Sequence, residues 1–341
     1  MTHTIDRTMA QTLSGMARGV ATAPARAPSV IEEVYDAGDR ALERAVSVVI
    51  PAFNEAAHVA GQVVAVREVM ERSGWAYEII VVDDGSSDGT AERAAETGVR
   101  VLRHRKNRGY GAALKQGIGA ARYDWILITD ADGTYPTESI PTLLAQAPGN
   151  AMVVGARTGE TVKIPAARRP AKAFLRWLAS YLAGQHLPDI NSGLRLMRKD
   201  LVGRYAHLLP SGFSFTTTIT LASATNGHSV EYVPINYLAR LGESKIKPRH
   251  AYDFTLLILR TIVFFNPLKV FIPLGALMAV LGMLKFIYDI ALDNISESAV
   301  LFLLGALIVW AVGLLADQNA RIAVNLGHLA RQNPRPRAPG E

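Results

Sequence analysis

The 341-residue chain contains no cysteine. Disulfides, thiolate metal centres and cysteine nucleophiles are therefore excluded, which fits a reducing compartment. Charge is also scarce: 19% of residues are charged and 49% hydrophobic, respectively low and high for a wholly water-soluble protein. The eight histidines are scattered, with no His-x-x-x-His pair, and give no metal constellation. A glycine-rich phosphate loop is missing too. Pro51-Ala52-Phe53-Asn54-Glu55 stands where a dinucleotide fingerprint would need glycines, Gly109-Tyr110-Gly111 is followed by Leu114 where the third glycine belongs, and there is no Walker A loop. A nucleotide-binding sheet in this chain must use another scheme. Residues 1–44 have no long apolar core and are expected to form a disordered or partly helical lead-in, with a short amphipathic helix around 31–45.

The hydrophobic excess concentrates after residue 250. Two stretches, 270–292 and 299–315, are apolar enough to span a bilayer, which takes about 20 residues; the competing reading is a buried helical hairpin in a soluble core. Lys285 and Asp289 interrupt the first stretch near its end, where a lysine can snorkel. The link at 293–298 has no Lys or Arg, whereas Arg260, Lys269, Arg321 and Arg331 flank the outer ends. The positive-inside rule then places both termini and the large N-terminal region in the cytoplasm. The formal net charge of +6 suits anionic lipid, phosphorylated substrates or nucleic acid without choosing among them.

Upstream, short β-branched runs alternate with helical patterns: strands at 47–50, 78–82, 99–102, 125–129 and 152–154, helices at 55–70, 90–96 and 111–121. This order predicts an α/β fold with a mostly parallel sheet and helices on both faces. Ligands on such sheets bind at the carboxyl ends of strands, where 51–55, 83–87 and 130–132 fall. Asp130-Ala131-Asp132 is the most informative of these. In extended backbone, residues two apart point to one side, so both carboxylates can aim at one divalent cation, which takes oxygen ligands and keeps bound phosphate. Two amphipathic stretches follow. One contains Phe174, Leu175, Trp177, Leu178, Tyr181 and Leu182 and the other spans 252–265; both have a basic flank that suits the membrane interface. Packing on the sheet is the competing reading, and for the first stretch the two stand even.

Ser47-Val48-Val49-Ile50-Pro51-Ala52-Phe53-Asn54-Glu55, Val81-Val82-Asp83-Asp84-Gly85-Ser86-Ser87-Asp88-Gly89-Thr90, Asn107-Arg108-Gly109-Tyr110-Gly111 and Asp130-Ala131-Asp132 together resemble the motifs of glycosyltransferase family two, with the GT-A fold. Asn191-Ser192-Gly193-Leu194-Arg195 and Arg240-Leu241-Gly242-Glu243-Ser244-Lys245 are similar to its polyprenyl-phosphate, dolichol-phosphate mannose synthase-like branch. The resemblance covers residues 46–318. It implies a cytoplasmic GT-A catalytic domain at 45–248, a juxtamembrane amphipathic helix at 249–268, a transmembrane hairpin at 269–318 and a cytoplasmic tail at 319–341. Carried over residue by residue, it assigns Pro51, Phe53, Glu55, Val82 and Asp84 to the nucleotide, and Asp130 and Asp132 to Mg²⁺ or Mn²⁺ and the diphosphate. Arg157, Arg168, Arg169, Arg240 and Lys245 would meet acceptor or donor phosphates, and Asp189 is a candidate for an acceptor-side catalytic role or a brace for the Asn191 loop. Thr134 stands where the branch often has Gln, and Arg240 lies one residue nearer Ser244-Lys245 than in some members.

The implied reaction is inverting transfer of one sugar from a nucleoside diphosphate sugar, of the GDP-mannose or UDP-glucose type, to a polyprenyl phosphate. A sugar hydroxyl acceptor would need a general base, whereas a lipid phosphate is already ionised and needs cations instead. The chain offers Arg157, Arg168, Arg169, Lys172, Lys245 and Lys247 for that. A processive polysaccharide synthase is the second reading, but Ala173 breaks its Gln-x-x-Arg-Trp motif before Arg176-Trp177, and two spans are few for a polymer channel. An inactive membrane scaffold that binds sugar nucleotides is the third. The expected partners are the nucleotide sugar, the lipid phosphate and the membrane, with no nucleic acid and with a homo-oligomer as a further implication.

Overall fold

The computed structural model describes residues 44–158, 169–212, 214–237, 255–256, 259–260, 263–264, 266–292 and 296–332. The expected helix around 31–45 and most of the juxtamembrane stretch therefore lie outside the described residues. The described residues of 255–264 are helical.

The chain runs β1 (Ala45–Ala52), α1 (Val59–Ser73), β2 (Ala76–Asp83), α2 (Thr90–Ala95), β3 (Arg100–Arg103), α3 (Tyr110–Ala120), β4 (Trp125–Ile128), a 3₁₀ turn (Thr137–Ser139), α4 (Ile140–Ala145) and β5 (Met152–Ala156). After it come α5 (Arg169–Ala183), β6 (Arg195–Arg198), α6 (Lys199–Tyr205), α7 (Phe215–Thr225), β7 (Val230–Pro234), α8 (Leu268–Ala291) and α9 (Glu297–Gln332). The strands form one seven-stranded sheet in the order β3-β2-β1-β4-β6-β5-β7. β1 to β4 are mutually parallel, and β6 is antiparallel to both neighbours. The sheet is thus mixed, mostly parallel, and longer than the five strands foreseen, because β6 and β7 are short and their alternation is weak.

Alternate residues of the central strands serve opposite faces, as the strand period of two requires. Val46, Val48, Ile50, Ile79, Val81, Trp125 and Leu127 pack beneath α1 and α4, while Val49, Ile80, Val82, Ile126 and Ile128 pack beneath α3, α6 and α7. Burial on both faces explains the unbroken apolar runs. β1 does not stop at Pro51, as expected, but continues to Ala52, in register with Asp83. Val49 accepts from Thr129 on the β4 side and Ala52 accepts from Asp84 on the β2 side. Pro51 therefore turns its missing N–H toward β4, and the ladder on that side stops there while the β2 side continues.

α8 and α9 are 24 and 36 residues long, both long and apolar enough to cross a membrane, and most of their large apolar side chains are exposed. A buried soluble hairpin would show the opposite. The two helices meet through glycines: Gly282 faces Leu303 and Phe302, Gly305 faces Met278, Gly313 faces Phe271, and Gly275 faces the Trp310 ring. Each glycine admits a large side chain of the opposite helix, the small-residue packing expected between helices in lipid. At the outer end Asp289 pairs with Lys285 and accepts from the Ser296 N–H and hydroxyl, which ties the start of α9 to the end of α8. α9 continues to Gln332. At ~1.5 Å per residue it is longer than the roughly 30 Å hydrocarbon core.

Candidate active site

β1, β2 and β4 are parallel and adjacent, so their carboxyl ends form one edge. Two of the loops there are stapled together. Asn54 N–H donates to Ser86 Oγ (2.9 Å), Asn54 Oδ1 accepts from Ser87 N–H (3.1 Å), Glu55 N–H donates to Thr90 Oγ1 (2.9 Å) and Ala56 N–H donates to Asp88 Oδ2 (3.0 Å). Asn54 reaches these partners with a positive φ of 56°, which asparagine tolerates better than most residues. Phe53, beside it, leaves its ring substantially exposed at the crevice. Pro51 is buried, and Glu55 holds the 55–59 turn through its carbonyl and pairs with His58. Val82 is fully buried against Gly117 of α3, so only its backbone can face a nucleotide.

Both carboxylates at the end of β2 serve the protein itself. Asp83 accepts from Ser86 N–H and pairs with Arg103. Asp84 accepts from His104 Nδ1 (2.6 Å), Arg108 N–H (2.9 Å) and Gly109 N–H (2.8 Å). It thereby fixes the loop that leads into α3. Gly109 has φ 100°, and a Cβ there would lie 2.5 Å from the Ser211 carbonyl, so this turn requires glycine.

Asp130 and Asp132 lie beyond β4, which ends at Ile128, and Ala131-Asp132 belong to a turn. The strand alternation expected to align them does not apply; their placement comes from side-chain anchors instead. Asp132 Oδ1 accepts from the Thr134 N–H (3.1 Å) and hydroxyl (2.7 Å). Thr134, buried, thus orients Asp132. Asp130 Oδ1 accepts from the Tyr110 hydroxyl at 3.0 Å. Burial, followed by the charge of Asp130, pushes the Tyr110 phenol well above its usual range, so it stays a donor. A Cβ at Gly193 would lie 2.8 Å from Asp130 Oδ2 and 2.9 Å from Oδ1. Among the described residues no group of three or more His, Asp or Glu could enclose a metal. Two partly exposed carboxylates suit a hard divalent cation that completes its shell with phosphate and water, and not an all-protein cage.

Arg157, just past β5, forms a two-pronged ion pair with Asp189: Nε to Oδ2 at 2.8 Å and Nη2 to Oδ1 at 2.9 Å. Its own N–H also donates to Asp189 Oδ2, and Nη2 donates to Asn191 Oδ1. Burial would raise the Asp189 carboxyl, but the hydrogen bonds and charge of Arg157 outweigh it and hold it at about 2. Arg157 also lies over the Tyr237 ring, 5.4 Å from its centre, and Tyr237 meets Tyr135 edge-on. The Tyr135 hydroxyl accepts from Gly193 N–H at 2.6 Å. This chain of contacts links Arg157 and Asp189 to the Asp130 turn. Arg168, Arg240 and Lys245 lie outside the described residues, and Arg169 opens α5. The sequence alone assigns no role to Tyr110, Tyr135, Gly193 or Arg195, since a single hydroxyl or glycine carries no periodic signal, although Tyr110, Gly193 and Arg195 fall inside the family-like motifs.

One face of α5 packs Leu175, Leu178 and Ala179 toward Leu221 of α7 and Val270 of α8, while Phe174, Trp177 and Tyr181 stack along the other, each more than half exposed. The end of α5 at Gly184 lies against Lys269 in the first turn of α8. The aromatic face thus belongs to a helix whose end lies beside the start of the first span, and exposed ring side chains suit a membrane interface.

An acidic turn at the carboxyl edge of a mostly parallel α/β sheet, joined to an apolar hairpin, is the architecture of a membrane-attached protein with a ligand crevice at its strand ends. Residues 47–205 match the model of "Glycosyl transferase family 2" and residues 266–322 that of "GtrB C-terminal hairpin". The chain is similar to an undecaprenyl-phosphate 4-deoxy-4-formamido-L-arabinose transferase of Enterobacter sp. (30% identical, over 81% of this chain and 88% of the relative). It is also similar to an undecaprenyl-phosphate mannosyltransferase of Micrococcus luteus (32%, 58% and 86%) and a dolichyl-phosphate hexose transferase of Haloferax volcanii (32%, 50% and 74%). Among solved structures, glucosyl-3-phosphoglycerate synthase from Mycobacterium tuberculosis in complex with Mn²⁺, uridine-diphosphate and phosphoglyceric acid shares the fold, with TM-score 0.52 and 21% identity over 64% of this chain and 78% of that one. The chain belongs to glycosyltransferase family 2, and it is a glycosyltransferase with its catalytic domain on the cytoplasmic side of a membrane.

Proposed function

We propose that this protein transfers a single sugar from a nucleoside diphosphate sugar, of the GDP-mannose or UDP-glucose type, to a polyprenyl phosphate, with inversion at the anomeric carbon. The observation that carries the reading is the Asp130–Asp132 turn, at the ligand-binding edge of a sheet whose chain continues into a membrane hairpin. Three curated relatives with polyprenyl-phosphate acceptors in their names support the acceptor class.

Asp130 and Asp132 would hold Mg²⁺ or Mn²⁺, which when bound offsets the charge that develops on the departing diphosphate. Tyr110 and Thr134 orient the two carboxylates. Phe53 offers a ring for the base, and the stapled 51–56 and 83–90 loops fix the nucleotide cleft. The acceptor phosphate oxygen forms its bond to the anomeric carbon as the bond from that carbon to the diphosphate breaks. No proton has to be removed, and Asp189, ionised and bound to Arg157, is too weak a base to remove one. Its part is to hold Arg157 and Asn191. The basic side chains Arg168, Arg169, Arg240 and Lys245 are proposed to receive the phosphates.

Asp132→Ala is expected to abolish transfer and to leave the cooperative melt of the detergent-purified protein in place. Product is read as glycolipid by mass spectrometry, from a panel of nucleotide sugars with a short polyprenyl phosphate. Near-normal turnover by that variant would remove the metal assignment, and a long water-soluble polymer in place of an extractable glycolipid would favour a synthase.

A further inference from the structure

Arg195 heads the fully buried side chains by volume and lies in β6, opposite Ile128 of β4 and Val154 of β5. None of the described carboxylates pairs with it. An unpaired charge in that position is costly, so its hydrogen bonds must compensate. Nε and Nη2 both donate to the Ser192 carbonyl, at 3.1 and 2.6 Å. Nη1 donates to the Thr216 carbonyl at 3.1 Å and the Thr220 hydroxyl at 3.0 Å. The guanidinium therefore ties the Ser192 turn to α7, and its flat fork reaches both carbonyls at once, which a lysine ammonium on a single stem does less well.

The residue after Ser192 explains why this turn has to be held. Gly193 donates its N–H to Tyr135 and brings its Cα against the Asp130 carboxylate, with no room for a Cβ. The Tyr110 hydroxyl donates to Oδ1 of the same carboxylate. The carboxylate thus sits in a slot formed by a hydroxyl and by the Gly193 backbone, and Arg195 holds the residue before that glycine.

We propose that Arg195 is a positioning residue for the cation site: by pinning Ser192 and Gly193 against Asp130, it sets where that carboxylate meets the metal. The proposal rests on the reading of Asp130 as a cation ligand.

Two substitutions probe the slot from different sides. Arg195→Lys keeps the charge and loses the fork; Gly193→Ala keeps Arg195 and fills the slot. Mn²⁺ is titrated onto the full-length protein in detergent, with UDP and separately with GDP, and free Mn²⁺ is read by electron paramagnetic resonance. Both variants are expected to melt cooperatively and to bind Mn²⁺ about 10-fold more weakly, the usual scale for loss of an outer-shell partner. Leu196→Ala, a cavity in the core on the opposite face of β6, is expected to lower the melting temperature without moving Mn²⁺ affinity. Unchanged Mn²⁺ affinity in both slot variants would overturn the proposal, as would an equal loss in Leu196→Ala, because that loss would be general loosening. Failure of the unsubstituted protein to hold Mn²⁺ with either nucleotide would remove the cation reading of Asp130 first, and the clamp with it.

Discussion

At the scale of single residues, the site depends on hydroxyls and glycines set around a few carboxylates. Tyr110→Phe removes the hydroxyl that holds Asp130 Oδ1 and keeps the ring. About 10-fold lower transfer is expected, with the melt little changed; wild-type rates would show that Asp130 needs no such support. Asp189 permits a signed prediction. Its folded pKa is depressed to about 2, below the roughly 3.9 of an unfolded aspartate. Its stabilising contribution, about 2–3 kcal/mol, is therefore complete above pH 4 and is lost as pH falls toward 2. Asp189→Asn is expected to be less stable than the wild type at pH 7, with the gap narrowing in acid. A gap that stays constant from pH 7 to pH 2.5 would contradict the ion-pair account. The acidic residues that follow the apolar runs can be read from residue type, although Asp83 and Asp84 turn out to be bound by the protein itself. Partners distant in the chain cannot: Arg157 and Asp189 are 32 positions apart, and only β5 and the approach to β6 bring them together.

At the scale of elements, sequence and structure agree on the buried strands and differ at their ends. β1, β2 and β4 read clearly because both faces are buried and the runs are unbroken. β1 outlasts Pro51 because its other side stays paired with β2 as far as Asp83, a fact of tertiary register that no local rule contains. β4 ends before Asp130, so the carboxylates are aligned by Tyr110, Thr134 and Gly193 and not by strand alternation. α8 and α9 were visible as apolar runs, yet their packing is decided by which glycine meets which bulky side chain. Gly275→Val places a branched side chain against Trp310. A melting temperature lower by several degrees in detergent is expected, in line with about 1–3 kcal/mol of overpacking; an unaltered melt would mean that the helices do not pack as described.

At the scale of the whole molecule, the hairpin fixes which compartment the catalytic edge can serve. The absence of native cysteine makes this directly measurable. Ser298→Cys, in the first turn of α9, is expected to react with a membrane-impermeant maleimide from outside intact cells. Glu96→Cys, exposed in the catalytic domain, should react only after permeabilisation. The reverse pattern would invert the topology and separate the active site from a cytoplasmic nucleotide-sugar pool. Three features bring the catalytic sheet to the membrane together: the Lys269–Gly184 approach, the Leu175–Leu178–Ala179 face of α5 packed toward α8, and the aromatic face of the same helix.

Sequence alone determined the α/β order, the acidic strand ends, the two spans and the family, because hydrophobic period, residue type and motif spacing are local properties. Tertiary structure decided the antiparallel insertion of β6, the pairing of Arg157 with Asp189, and the slot of Tyr110 and Gly193 around Asp130 that Arg195 braces. Those are contacts between segments far apart in the chain. Their energies depend on burial and on which donors face which acceptors, and both are set only when the sheet closes and water leaves.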